Sequence, residues 1–179
     1  MKSLHTLPVT LNWSFVETAW GLVPLAGEPD ALTFVGYPQS REDAAIAELT
    51  TELGRLGIYD EDLGGRYADR IAGYFAGEPL NWSEIPARLS GTPFQNRVWQ
   101  TTREIPYGQA WTYAEVARAS GTPLGARAAG TALANNRAGL LVPCHRVVAA
   151  GGIGGYGHWR ERKLALLRLE GAVGRGVWD

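Results

Sequence analysis

Hydrophobic and polar positions change rhythm partway along the chain. Between Val9 and Val35 they fall in short runs: Val9–Val16 alternates in part, Trp20–Leu25 follows, and Ala31–Val35 resumes after Gly27-Glu28-Pro29-Asp30. This predicts three strands in a small antiparallel meander. Ser40 can cap a helix through about Leu53, with Glu42 and Asp43 in its first turn and Ala45, Ile46 and Leu49 on one face. A second helix is expected over Arg66–Phe75, stopped by Gly77 with Pro79 beyond it. Asn81–Gly91, which holds Pro86 and ends in Ser90-Gly91, reads as a linker.

After that the texture is helical. Thr92-Pro93 pairs an N-cap with proline at the first helical position, and Phe94, Val98, Trp99 and Thr102 recur until Ile105-Pro106-Tyr107-Gly108 breaks the run. Thr112-Tyr113-Ala114-Glu115 is a capping box for a helix ending near Ser120-Gly121. Thr122-Pro123-Leu124-Gly125 forms a tight turn before an alanine-rich helix from about Ala126 to Ala134. Two short helices around a glycine-containing turn make a helix-turn-helix candidate. The apolar Leu140-Leu141-Val142 then leads into Pro143-Cys144-His145-Arg146-Val147-Val148, a glycine-rich loop over Gly151–Gly157 and a last helix over about Arg160–Leu169. The pattern predicts an α+β protein: an N-terminal αβ domain with its linker over residues 1–90, and a mainly helical C-terminal domain over 91–179.

Composition narrows the classes. With 179 residues, 45% of them hydrophobic, the chain can bury its own core. One cysteine and three histidines exclude a disulfide framework and leave too few soft ligands for a four-ligand zinc site. No metal and no cofactor are expected. No apolar run approaches the ~20 residues of a membrane span, so a soluble cytoplasmic protein is the expectation. The net charge of -1 conceals an asymmetry, since residues 1–96 carry 6 basic and 13 acidic side chains and residues 97–179 carry 11 and 5. A basic half can serve as a nucleic-acid footprint, although a solvated arginine-rich surface would look the same.

A lone cysteine is more often a small buried hydrophobe than a nucleophile. Cys144 departs from that rule because His145 follows it and can act as the base that generates a thiolate. On an extended backbone adjacent side chains point to opposite sides, so a bridging water is the simpler route between them. Glu170, at the end of the last helix, is a candidate to orient the base, and taken alone reads as a solvated carboxylate. Together His145 and Glu170 predict a depressed Cys144 thiol pKa in the complex with DNA.

Pro143-Cys144-His145-Arg146-Val147 resembles the active-site motif of the O6-alkylguanine-DNA alkyltransferases, the methylated-DNA–protein-cysteine methyltransferases. The resemblance extends over about Phe94–Gly171: Phe94-Gln95 with Val98-Trp99, Ile105-Pro106 with Gly108, Thr112-Tyr113 with Ala117, Ala126-Arg127-Ala128, Asn136, Gly154-Gly155-Tyr156, Lys163 and Leu169-Glu170-Gly171. Residues 1–93 resemble the family's variable N-terminal domain, which is ribonuclease H-like, only in size and order of elements.

The resemblance implies roles. Cys144 is the alkyl acceptor, His145 the base acting through water, Glu170 the carboxylate that polarises it, and Asn136 the tie between the helix-turn-helix and the cysteine loop. Tyr113 donates to N3 of the guanine and crowds a phosphate. Arg127 is the finger that replaces the flipped nucleotide, with Thr112 and Ala126 beside the DNA. Pro143, Val147, Tyr156, Gly157 and Lys163 surround the substrate pocket. The implied partner is double-stranded DNA carrying alkylated guanine, bound by a monomer through the minor groove without a cofactor. Where relatives place serine and then glycines after the pocket tyrosine, this chain has Gly157-His158-Trp159, which leaves the preferred alkyl size open. Three rivals remain: an alkyltransferase-like protein that binds damage without reacting, in which the cysteine is commonly replaced by tryptophan; a transcription factor using the same helix pair; and a cysteine hydrolase.

Overall fold

The computed structural model describes residues 11–54, 56–122, 125–155 and 159–172, which form an α+β protein. Two compact units can be distinguished. The first holds the residues up to Ala76 with Ile85–Ser90 and Arg137–Leu141; the second holds Gly77–Glu84, Gly91–Asn136 and the residues from Val142 onward. A single cut at residue 90 therefore does not separate them, because two short segments change sides.

In the first unit β1 (Asn12–Thr18), β2 (Gly21–Glu28) and β3 (Ala31–Val35) form an antiparallel sheet in the order β1-β2-β3. The expected meander is present, and β2 runs three residues past Leu25 with a register shift at Ala26/Gly27. Its first turn requires glycine: Gly21 has φ +119°, and a Cβ there would lie 2.4 Å from the Gln39 carbonyl oxygen. Helix α1 (Glu42–Leu53) packs Leu49 against Ala26 and Phe34 of the sheet. Its N-cap is Arg41 rather than Ser40 and makes no side-chain cap bond, since the guanidinium turns to Asp43 instead, with Nε 2.9 Å from Oδ1. Helix α2 (Glu61–Phe75) starts five residues before the expected Arg66, capped by Asp60, whose Oδ1 accepts from Leu63 N at 3.1 Å. Gly64-Gly65 suggests a break in the sequence, yet Gly64 lies inside the helix where a Cβ would sit 2.5 Å from Ser14 Oγ. The glycine lets α2 lie directly on β1.

The supposed linker is ordered. Trp82 is fully buried in a 3-10 turn over Trp82–Glu84 of the second unit, where its carbonyl accepts from Arg103 Nη2 at 2.7 Å. Ile85–Ser90 belongs to the first unit and extends β3, with Leu32 N donating to Pro86 O and Arg88 N to Leu32 O.

The second unit is built on α3 (Pro93–Arg103), α4 (Tyr113–Ala119), α5 (Ala126–Ala134) and α6 (Arg160–Leu169), with a parallel pair of two-residue strands, β4 (Trp111–Thr112) and β5 (Val147–Val148). Both predicted N-caps, Thr92 and Thr112, form reciprocal capping boxes with Gln95 and Glu115. α4 and α5 are packed together as the helix-turn-helix, while Pro123 and Leu124 of its turn lie outside the described residues. Among the described residues no helix is long and apolar enough to cross a membrane.

Candidate active site

Cys144 opens a 3-10 turn, Cys144–Arg146, rather than lying on an extended strand. Cys144 N donates to Val142 O at 2.7 Å and Arg146 N to Pro143 O at 2.9 Å. This turn lets two adjacent residues serve one site. Asn136, two residues past α5, donates through Nδ2 to Val142 O and to Cys144 Sγ, both at 3.4 Å. The end of the second helix of the helix-turn-helix is thus hydrogen-bonded to the cysteine turn through Asn136.

The expectation of a depressed thiol pKa concerns the complex with DNA; in the DNA-free protein burial pushes Cys144 up to about 12, against the pull of the Asn136 amide and the Lys163 charge. His145 Nε2 lies 2.7 Å from Glu170 Oε1, and both side chains are fully buried. Burial holds His145 below its ordinary value, so the ring is neutral. Burial raises Glu170, but the adjacent His145 and the Arg146 guanidinium outweigh it and keep the carboxylate ionised. With Glu170 ionised, Nε2 carries the imidazole proton and donates it to Oε1, which leaves the basic lone pair on Nδ1.

Arg146 escaped the sequence reading as a site residue. It is fully buried, with Nε 2.9 Å from Glu170 Oε2 and Nη2 3.0 Å from Oε1. Its Nη1 donates to Ile105 O at 2.6 Å and its Nη2 to Leu80 O at 3.1 Å. The Ile105–Gly108 stretch, which reads in sequence as a helix stop, is the other half of this clamp: Gly108 N donates to Glu170 Oε2 at 3.4 Å, and the Tyr107 hydroxyl lies 3.0 Å from Leu169 O. The motif's arginine and its proline-glycine turn were the available signals.

Tyr113 begins α4, half-buried, and its hydroxyl donates to Gly155 O at 3.1 Å. Burial and the proximity of Cys144 raise its pKa. Gly154 has φ +76°, and a Cβ there would come within 3.0 Å of Tyr113 Cε2. Gly154 therefore lets the loop close over the ring. Thr112 spends its hydroxyl on the α4 cap, where Oγ1 accepts from Glu115 N at 3.2 Å and donates to Glu115 Oε2 at 2.8 Å. Ala126 and Arg127 open α5, the arginine exposed. Pro143, Val147 and Lys163 are buried, and Lys163 Nζ donates to Val147 O at 2.6 Å. Lys163 is lowered to about 8 by burial, opposed by Cys144, so a positive charge stands near the thiol at neutral pH. Tyr156, Gly157 and His158 lie outside the described residues; Trp159, just past them, is exposed with the Arg162 guanidinium 3.7 Å over its ring.

A helix-turn-helix tied by an asparagine to a cysteine whose neighbour pairs with a buried carboxylate defines a nucleic-acid-binding protein with a nucleophile at its centre. Residues 93–172 match the family described as 6-O-methylguanine DNA methyltransferase, DNA binding domain. The methylated-DNA–protein-cysteine methyltransferase of Mycobacterium leprae is 40% identical over 143 residues, covering 78% of this chain and 85% of that one. The protein of the same name from Metallosphaera sedula is 42% identical over 163 residues, covering 91% and 95%. The crystal structure of Mycobacterium tuberculosis OGT in complex with DNA matches with a TM-score of 0.71 at 34% identity, covering 90% of this chain and 93% of that one. The chain belongs to the methylated-DNA–protein-cysteine methyltransferase family.

Proposed function

We propose that this protein repairs DNA by direct reversal, moving an alkyl group from O6 of guanine in a duplex to Cys144 Sγ, once per molecule. The observation that carries the reading is the Asn136–Cys144 contact beside the His145–Glu170 pair, a nucleophile held next to an oriented base. His145 Nδ1 accepts the thiol proton through a water as Sγ attacks the alkyl carbon. The S–C bond forms, the C–O6 bond breaks, and guanine leaves with that electron pair. The proton given up by the thiol ends on the guanine ring, so atoms and charge balance. A thioether has no good leaving group, which makes the transfer irreversible.

Burial disfavours the thiolate in the resting protein, so the base takes the thiol proton as the attack proceeds. Lys163 and Asn136 lower the cost of the developing thiolate. An O6-alkyl group inside a duplex is out of reach, so the base is extruded at a few kcal/mol of unstacking. Arg127, exposed early in α5, fills the vacated space as α5 enters the minor groove, with Thr112 and Ala126 beside the backbone. The Tyr113 hydroxyl exchanges Gly155 O for guanine N3. Pro143, Val147 and Lys163 support the pocket. The protein works as a monomer, and its free thiol suits the reducing cytoplasm.

Intact-protein mass spectrometry after mixing with a duplex containing one methylguanine tests this. The expected result is a gain of one methyl, ~14 Da, absent in Cys144→Ala. Damage-dependent binding without a mass gain would contradict transfer and favour a non-reacting damage sensor.

A further inference from the structure

Glu170 has to be a carboxylate for His145 to work. If Glu170 carried a proton it would donate to Nε2, the imidazole proton would move to Nδ1, and the ring nitrogen left to face outward would no longer be basic. A fully buried carboxyl group ordinarily takes up a proton, because desolvation favours the neutral form. Two neighbours oppose that here, the His145 ring at Oε1 and the Arg146 guanidinium at both oxygens, and of the two only Arg146 carries a permanent charge.

We infer that Arg146 is a positioning residue for the alkyl transfer: its buried guanidinium keeps Glu170 ionised and aimed, and thereby selects His145 Nδ1 as the base. The inference rests on the transfer reading above. Its geometry is two-sided. Toward Glu170 the fork reaches both carboxylate oxygens, 2.9 Å to Oε2 and 3.0 Å to Oε1, a bidentate arrangement that fixes the carboxylate plane. Away from Glu170 the same guanidinium is held by Ile105 O at 2.6 Å and Leu80 O at 3.1 Å, so it cannot follow the carboxylate if that group turns. Oε1 then meets His145 Nε2 at 2.7 Å.

A second consequence follows from charge. An ionised glutamate alone beside a histidine would raise the ring's proton affinity until it rested as imidazolium, already protonated and useless as a base. Burial opposes that pull first, and the Arg146 charge adds to the opposition. The charged groups acting on His145 are Glu170 and Lys163 from α6 and Arg146 from the cysteine turn, and with burial the balance leaves the ring neutral. Lysine could supply the charge but not the fork, since one ammonium cannot span both carboxylate oxygens and two carbonyls 41 and 66 residues away in sequence.

The test uses the full chain labelled with 15N-histidine. Long-range proton–nitrogen NMR at neutral pH reads the His145 tautomer, assigned by its loss in His145→Gln, and single-turnover transfer is timed on the methylguanine duplex. In the wild type we expect a proton on Nε2 and none on Nδ1. In Arg146→Lys we expect a mixed or charged imidazole and transfer slowed by about 10²-fold, with DNA affinity unchanged. The double variant Arg146→Met/Glu170→Gln removes both buried charges and so keeps the test open should Arg146→Lys fail to fold; it too should lose the single tautomer and the rate. A wild-type ring that is charged or protonated on Nδ1 would overturn the inference, as would either variant keeping the wild-type tautomer and rate. A wild type with the expected tautomer but no methyl transfer would instead remove the transfer reading.

Discussion

The two units bury different chemistry. In the first, Ser14 is the one buried polar residue in a sheet-and-helix interior of Val23, Leu25, Leu32, Phe34, Leu49 and Ile71, tyrosine rings apart, among the described residues. In the second, Arg103, His145, Arg146, Lys163 and Glu170 are all buried. Apolar interiors are stabilised by area removed from water and tolerate exchange of one hydrophobe for another. Buried charges are costly to desolvate and are strongly destabilising when one partner is removed, so an apolar replacement for a whole pair is often no worse for stability. Stability alone would not put these groups in the second unit. Three of them are linked by hydrogen bonds, His145 and Arg146 each to Glu170, and under the proposed transfer they hold a neutral base against an ionised carboxylate.

That contrast can be broken at several points. Glu170→Ala should produce the largest effect, leaving Arg146 buried without its carboxylate: about 3–5 kcal/mol of stability lost in denaturant titration, and transfer lost with it. A folded, active variant would mean that the carboxylate is ornamental. Leu49→Ala in the first unit should cost about 2–5 kcal/mol in the same titration. Here, however, the transfer rate per folded molecule should match the wild type, and a slowed rate would show that the first unit's packing feeds the chemistry.

Acid should act through the second unit. His145 is held below 6.5 in the folded state, so the unfolded chain takes up that proton first and stability falls as pH drops below 6.5. Glu170 is held below 4.5, and its contribution, present above that value, is lost as pH falls further. Melting temperature against pH should show both losses, with Glu170→Gln abolishing the lower one; an unchanged profile in that variant would place the acid lability elsewhere. The smallest effect is expected from Thr112→Ala, about 1 kcal/mol from the lost α4 cap. Loss of DNA affinity without loss of stability would make Thr112 a DNA contact before a cap.

Local signals were the legible ones. The Thr92 N-cap, the Thr112 capping box, the span of α5 and the span of α6 follow from residues within one turn of each other, and the cysteine motif singled out Cys144 and His145 as the candidate nucleophile and base. What was missed depends on distant chain. Gly64-Gly65 resembles a break until β1 is seen against it. Asn81–Gly91 resembles a linker until Trp82 and the Leu80 carbonyl are seen to be claimed by Arg103 and Arg146. Arg146 and Lys163 look like surface charges because burial is not written in a residue's identity. The resting state of Cys144 was illegible for the same reason: burial raises the thiol in the DNA-free protein, whereas the expectation drawn from His145 concerns the complex with DNA.

The central claim is that the second unit is a single-use alkyl acceptor centred on Cys144. Its most direct test is a titration of the protein with increasing methylguanine duplex, followed by peptide mapping of the modified chain. The account predicts a plateau at one methyl per molecule, all of it on Cys144, with no further repair however much duplex is added. Continued repair past one equivalent, or a methyl on another residue, would contradict it.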